Sequence, residues 1–379
     1  MRFALSSAAT ALLLVALLGA YALLRPNRAQ LAPALDIESW EVVADGEHNS
    51  NTDMIFWRNH FWLVHAASPY HMGTPKSRLV IHRSSDARSW ETVATLQVAG
   101  KDIRDPKFAP IRERLFLYAL SNQGFFATPE GSVVSTSQDG MSWSEFQPVG
   151  PSGWLFWRPK SLDGKIWYVP AYWWDHGKSV LLRSPDGLDW EQVSTIYDGE
   201  GNDETAIEFL PDGRLLATAR LEVTPDTLSG NEDASTLLAV AEPPFDRWSY
   251  RKSRVTRLDG PVLFSHSGRV FAVARHQDGK RGPLMRLGGV WSRKRTALYE
   301  VTESDLTHLS DLPSAGDTSY AGVVLRDGFA YIDYYTSAIE RDYPWFLGMF
   351  LPTDIRMARI SLDSLVALAD EKRATAEGQ

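Results

Sequence analysis

Short apolar runs of strand length, each closed by a polar turn, recur along the chain. Leu79-Val80-Ile81-His82-Arg83 and Val180-Leu181-Leu182-Arg183 each lead into one turn that the sequence writes three times. The copies are Ser84-Ser85-Asp86-Ala87-Arg88-Ser89-Trp90, Ser137-Gln138-Asp139-Gly140-Met141-Ser142-Trp143 and Ser184-Pro185-Asp186-Gly187-Leu188-Asp189-Trp190. The shared pattern is Ser-x-Asp-(Gly/Ala)-x-x-Trp. An Asp at this place accepts from nearby backbone N–H groups, Gly supplies the positive φ of a tight reversal, and Trp anchors the next strand. The copies stand about 50 residues apart, which is the length of one propeller blade.

The strand after each turn has a fourth likeness at Glu38-Ser39-Trp40-Glu41-Val42-Val43, without a hairpin of its own before it. A closed ring explains this: the first strand completes the last blade and no sheet edge is left open. Inner strand pairs are predicted at Asp53 to His65, Asp105 to Leu120, Arg158 to Tyr172, Glu204 to Arg220, Pro261 to Arg275 and Tyr320 to Tyr334. Four carry hairpin turns, Asp163-Gly164, Asp212-Gly213, Ser267-Gly268 and Asp327-Gly328. Outer strands are expected to begin near Trp40, Trp90, Trp143, Trp190 and Trp248, with the fifth blade's near His308. The expectation is an all-β, six-bladed propeller of four-stranded antiparallel blades over residues 29–364; a five-bladed propeller is the architectural alternative.

Both ends of the chain fall outside this pattern. Residues 1–28 read as a leader: Arg2, an uncharged run from Ala8 to Leu24, then Arg25 and Arg28. Ala20-Tyr21-Ala22 offers a small-x-small cleavage site, whereas residues 4–24 are long enough for an uncleaved membrane tether. Either way the expected destination is export, to the periplasm or the extracellular space. Residues 29–36 read as a linker, and 365–379 as a tail with a short helix followed by disorder. Leu221 to Ser235 is polar and expected as a surface loop. Asp342 to Pro352 is apolar and bounded by prolines, expected as a packed insertion, a lid over a cleft or a membrane-touching loop.

Composition narrows the partners. A net charge of −8 argues against nucleic acid. With no Cys there is no disulfide and no thiolate nucleophile, and the nine His show no paired ligand spacing, so neither metal nor cofactor is expected. The 14 Trp suit packing between blades, and Trp167 to Trp174 includes aromatics suited to stacking on sugars.

In a propeller the inner strands converge on the axis, so groups at their starts meet although they are distant in sequence. Those starts read Thr52-Asp53, Arg104-Asp105, Trp157-Arg158, Asp203-Glu204, Gly260-Pro261 and Ser319-Tyr320. Charges there are costly to bury unpaired. They form either a closed ion-pair ring or a site for an anionic or hydroxyl-rich ligand.

The three turns resemble the Asp-box of the sialidase superfamily, in a shortened form with Gly directly after Asp. Two further segments sharpen the likeness. Asn202 to Arg220 is similar to the fourth-blade motif, in which a Glu opens the strand, an Asp-Gly turn follows and an Arg ends the second strand. Asp317 to Gly328 is similar to the segment that holds the tyrosine nucleophile. The resemblance implies Tyr320 as nucleophile, Glu204 as the carboxylate that activates it, and Arg220 and Arg275 as arginines that clamp a sugar carboxylate. A neutral phenol avoids the repulsion that an anionic nucleophile would meet beside that carboxylate. It also implies that the Asp-boxes are structural, on the face away from the site. The sequence departs from the family at the first inner strand, Asn51-Thr52-Asp53-Met54-Ile55-Phe56, which lacks the expected arginine. The acid/base Asp is open between Asp53 and Asp105, and Arg104 or Arg158 stands in for the missing charge. The expected function is an exported sialidase-like glycoside hydrolase acting on a terminal, acidic sugar of a carbohydrate or glycoconjugate. The alternatives are a two-carboxylate glycosidase or polysaccharide lyase using Asp53, Asp105 and Glu204, and a non-catalytic glycan-binding propeller.

Overall fold

A computed structural model describes residues 2–124, 130–222, 235–277 and 289–378. The strands form six four-stranded antiparallel sheets. Blade one is β2 (His48–Trp57), β3 (His60–Ser68), β4 (Arg78–Ser84) and β5 (Glu91–Leu96). Blade two is β6 (Asp102–Ile111), β7 (Arg114–Asn122), β8 (Gly131–Ser137) and β9 (Gln147–Val149). Blade three is β10 (Trp154–Phe156), β11 (Trp167–Trp173), β12 (Lys178–Ser184) and β13 (Glu191–Asp198). Blade four is β14 (Thr205–Phe209), β15 (Leu215–Arg220), β16 (Thr236–Ala241) and β17 (Trp248–Ser253). Blade five is β18 (Asp259–His266), β19 (Arg269–Gln277), β20 (Lys294–Val301) and β21 (Leu306–Asp311). Blade six is β22 (Thr318–Arg326), β23 (Phe329–Thr336) and β24 (Asp354–Ser361), with β1 (Glu38–Val43) as its outermost strand. Trp40 stands opposite Met357 in that closing pair.

The three Ser-x-Asp turns join third to fourth strands, so they lie at the opposite end of each blade from the inner-strand starts. Asp139 Oδ1 accepts from Met141 N at 2.8 Å and Ser142 N at 2.7 Å, and Asp86 and Asp186 repeat the arrangement. Each Trp indole donates to the carbonyl of the residue after Asp, as Trp143 does to Gly140 at 2.9 Å. The turns also link neighbouring blades. Trp40 Nε1 of blade six donates to Ala87 O of blade one, and Tyr118 OH of blade two donates to Gly187 O of blade three. At Gly140 φ is +78°, and a Cβ there would lie 2.2 Å from the Trp62 ring of blade one. Only glycine satisfies both the turn and that contact.

Several local expectations shift. β9 begins only at Gln147, because Trp143 bridges back to Ser137 within the turn. β10 ends at Phe156, which leaves Arg158 beyond the strand. Residues 29–36 are packed rather than a free linker: Ala32 N donates to Ser310 Oγ, and Leu35 is buried among Phe271, Tyr334 and Leu365. The tail is one helix, α3 (Leu362–Glu377), capped by Ser361 and buried through Leu362, Leu365, Leu368 and Ala369, so no disordered end follows a short helix within the described residues. The N-terminal helix α1 (Arg2–Leu24) is followed by a segment pinned to blade six. Asn27 Nδ2 donates to Ser314 O and Ile339 O, and Arg25 pairs with Asp342 at 3.1 Å. Among the described residues no helix is long and apolar enough to cross a membrane. Most of the Leu221–Ser235 stretch lies outside the described residues.

The two turn hydrogen bonds, from Ser142 N and Met141 N, hold the Asp139 carboxyl at about 2, below its ordinary 3.8. Asp139→Ala should therefore lower unfolding free energy by about 1–2 kcal/mol in denaturant melts. The difference from wild type should be present at neutral pH and vanish as the pH falls through about 2, because protonation removes what the variant lacks.

Candidate active site

Four inner strands carry the same irregularity at their mouth ends. Register shifts interrupt pairing between Ser50 and Asp53, Arg104 and Lys107, Asp259 and Val262, and Ser319 and Gly322. Each bulge contains a residue at positive φ: Asn51 at 49°, Asp105 at 51°, Gly260 at 61° and Tyr320 at 51°. Such a conformation is costly for a side chain as large as tyrosine, and bulges re-aim side chains at functional sites.

The re-aimed groups meet across the axis. Tyr320 OH of blade six donates to Glu204 Oε1 of blade four. Glu204 Oε2 accepts from Gly260 N of blade five at 2.7 Å and lies 3.1 Å from Arg220 Nη1. Trp157 of blade three packs edge-on to Tyr320 and donates to Pro261 O. Thr52 Oγ1 of blade one donates to Tyr320 O. Tyr320 is thus fixed from blades one, three, four and five. At Gly260 a Cβ would sit 2.6 Å from the Tyr320 ring, so the ring requires glycine beneath it.

Around this pair lie carboxylates shielded from solvent, each met by cations. Arg220 binds Asp203 through Nε at 2.7 Å and through Nη2, and approaches Asp259 at 3.6 Å. Arg275 reaches Asp259 at 3.2 Å and Asp317 at 3.6 Å, with its guanidinium 5.2 Å from the Tyr320 ring centre. Arg257 grips Asp259 at 2.8 Å and 3.2 Å. His176 sits 3.2 Å from Asp203 and 3.5 Å from Glu222; against the opposing effect of burial, these carboxylates hold it up at about 9.

The remaining predicted residues divide. Asp105 is half-buried and accepts from Asn51 Nδ2. Arg104 is held by Asp102 at 2.6 Å and donates to His71 O at 3.2 Å. Arg158 binds Asp53 through Nη1 and Ala321 O through Nη2, tying blade three to blades one and six. Asp53 is fully buried, and its other acceptor contacts are Met54 N and Phe108 N. That placement withdraws Asp53 from the open mouth and makes it a strut between blades. Arg257, Asp259 and His71 escaped the sequence reading, and Asp317 was read only as the start of the tyrosine segment. Asp259 opens an inner strand like the residues that were found, whereas Arg257 lies in the connection two positions before it.

Burial pushes Glu204 up to about 7; Arg220 opposes the shift, and Asp203 and Asp259 reinforce it. Burial likewise raises Tyr320 well above the ordinary phenol value, and the Glu204 charge adds to the rise. The phenol therefore keeps its proton at neutral pH and donates it in the hydrogen bond to Glu204.

No protein-family model matches the chain, and no curated protein matches it by sequence. Solved structures do match by shape. The phage phi92 endosialidase superposes with a TM-score of 0.63 at 11% identity, over 86% of this chain and 69% of that one. A Trypanosoma rangeli sialidase in complex with sialic acid gives 0.60 at 13% identity, over 92% of this chain and 62% of that one. The same enzyme as a covalent intermediate with 2,3-difluorosialic acid gives 0.61 at 13% identity, over 91% and 61%. The chain thus spans about three fifths of the length of the trypanosomal enzyme. The likeness shows a sialidase-like fold.

Gly260→Ala should destabilise the protein by about 1–3 kcal/mol through overpacking against Tyr320. Gly213→Ala is the control: φ is +86° there, but nothing lies within 4 Å of a new Cβ. If the two variants melt alike, the ring does not depend on Gly260.

Proposed function

We propose that this sialidase-like propeller is an exported glycoside hydrolase acting on a terminal, acidic sugar. The observation that carries the reading is the hydrogen bond from the Tyr320 hydroxyl to the Glu204 carboxylate, between Arg220 and Arg275. Tyr320 Oη forms the bond to the anomeric carbon as its proton passes to Glu204, and the glycosidic C–O bond breaks. Asp105, the half-buried carboxyl among the predicted acids, gives the proton to the leaving oxygen. Water then cleaves the tyrosyl intermediate as the two proton transfers reverse. Arg220 and Arg275 bind the sugar carboxylate by charge-assisted hydrogen bonds.

One observation favours a second reading. Both arginines already hold buried carboxylates, Asp203 and Asp259, and the first inner strand offers Asn51 where a third arginine is expected. A glycan-binding propeller without turnover accommodates that arrangement.

Screening a panel of acidic and neutral glycosides decides between the two. On the best substrate, Tyr320→Phe should reduce turnover on the order of a thousandfold or more while binding persists, because only the hydroxyl is lost. Full activity in Tyr320→Phe would rule out the tyrosine mechanism. Arg220→Ala should weaken an acidic ligand roughly tenfold to a hundredfold and a neutral one much less.

A base that must be ionised loses activity below its pKa. The acidic limb of kcat/KM against pH should therefore fall near 7, the value to which burial raises Glu204, instead of near an ordinary carboxylate value. Glu204→Gln should remove that limb together with the activity.

A further inference from the structure

We infer that His48, His71 and Asp317 form a binding site for a late first-row divalent cation, for which zinc is the fitting probe. The argument begins with a tautomer. His48 Nδ1 lies 2.9 Å from Leu351 O, and a carbonyl can only accept, so Nδ1 carries the hydrogen. A neutral His48 then presents a bare lone pair at Nε2. That atom is buried, without a hydrogen-bond partner, and 3.1 Å from Asp317 Oδ2, which is itself an acceptor. Two acceptors aimed at each other in a dry site repel unless a proton or a metal cation stands between them.

His71 completes the set. Its Nδ1 lies 2.6 Å from the same Asp317 oxygen, and its ring stands perpendicular to that of His48, with centroids 5.9 Å apart. The three donor atoms lie within 4.8 Å of one another. Zinc takes imidazole nitrogen and carboxylate oxygen at about 2.0–2.2 Å, which spaces tetrahedral donors roughly 3–3.5 Å apart. The His48 pair already has that spacing, and the His71 pair reaches it by opening about half an ångström.

The surroundings hold the donors as a metal site requires. The Nδ1–H of His48 is fixed by a backbone carbonyl, the usual second contact of a metal-bound imidazole. Asp317 Oδ1 accepts from Trp345 Nε1 at 2.7 Å and Tyr335 OH at 3.0 Å, which leaves Oδ2 for the imidazoles. Arg275 approaches the Oδ1 side and shares its charge with Asp259, while Arg104 beside His71 is matched by Asp102. His48 and Asp317 have no exposed side-chain surface and His71 has 19%, so the fourth position opens on the His71 side. The second such cluster, His176 with Asp203 and Glu222, differs because Arg220 already lies among its carboxylates. A bound ion would clip the start of β2 and the β3–β4 connection to the residue preceding β22, independently of the catalytic reading.

The test uses the tag-free full chain, stripped with a chelator, dialysed and titrated with zinc chloride against a chromogenic zinc indicator. The expected result is about one zinc per chain and a raised melting temperature. His71→Ala and His48→Gln should each weaken zinc at least roughly tenfold. If the buried His48 variant fails to fold, His71→Ala carries the test, because that ring is partly exposed. Failure of the wild-type chain to take up zinc would overturn the proposal and leave His48, His71 and Asp317 as a hydrogen-bonded cluster. So would uptake that survives His71→Ala but is lost in His176→Ala.

Discussion

Charge that cannot reach water must find its partner inside the fold, and in this protein that partner comes from the same blade, as Arg220 does for Asp203, or from another blade. Asp53, Asp203, Asp259 and Asp317 have no solvent exposure. Asp53 of blade one is met by Arg158 of blade three, and Asp317 beside blade six by Arg275 of blade five. Removing one member of such a pair leaves an unmatched buried charge, which costs about 3–5 kcal/mol. The blades are therefore fixed around the axis by ion pairs as well as by apolar packing, and the same pairs shape the mouth. Burial holds Glu204 at a high pKa, and Arg257, Arg275 and Arg220 together hold Asp259 low against its own burial.

Backbone strain at the mouth belongs to the same arrangement. Asn51, Asp105 and Tyr320 adopt left-handed conformations within bulges, and Gly260 does so beneath the tyrosine ring. Contacts from several blades are needed to keep Tyr320 there: Glu204, Thr52, Trp157 and Gly260. Strain held this way fixes the phenol against the Glu204 carboxylate. The opposite face has a different task. There the Ser-x-Asp turns satisfy their own backbone and lean on the neighbouring blade, as Gly140 does on Trp62 and Gly187 on Tyr118.

Local chemistry made much of this legible. A turn needs Asp, Gly and Trp at set offsets, and a propeller needs that unit at a fixed period, so the six blades and the closing strand at Trp40 could be read directly. The pairing of Tyr320 with Glu204 was reachable because both stand at inner-strand starts, which topology brings to one axis. A helix in the tail was legible, but its length and its packing in one apolar cluster with Phe271 and Tyr334 were not, because the tail's own sequence does not reveal that partner surface.

What the sequence determined by itself is therefore what repeats or alternates: strands, turns, blade number, ring closure and the list of polar groups at the mouth. What the tertiary structure decided is which of those groups are already engaged. Asp53 and Asp105 look equivalent as strand-start carboxylates, yet one is sealed by Arg158 and the other faces Asn51 at a half-buried rim. His48, His71 and Asp317 share no spacing at all and come together only through the assembly of blades one and six. Periodicity is a property of neighbours along the chain, whereas pairing, burial and pKa depend on distances set when the ring closes.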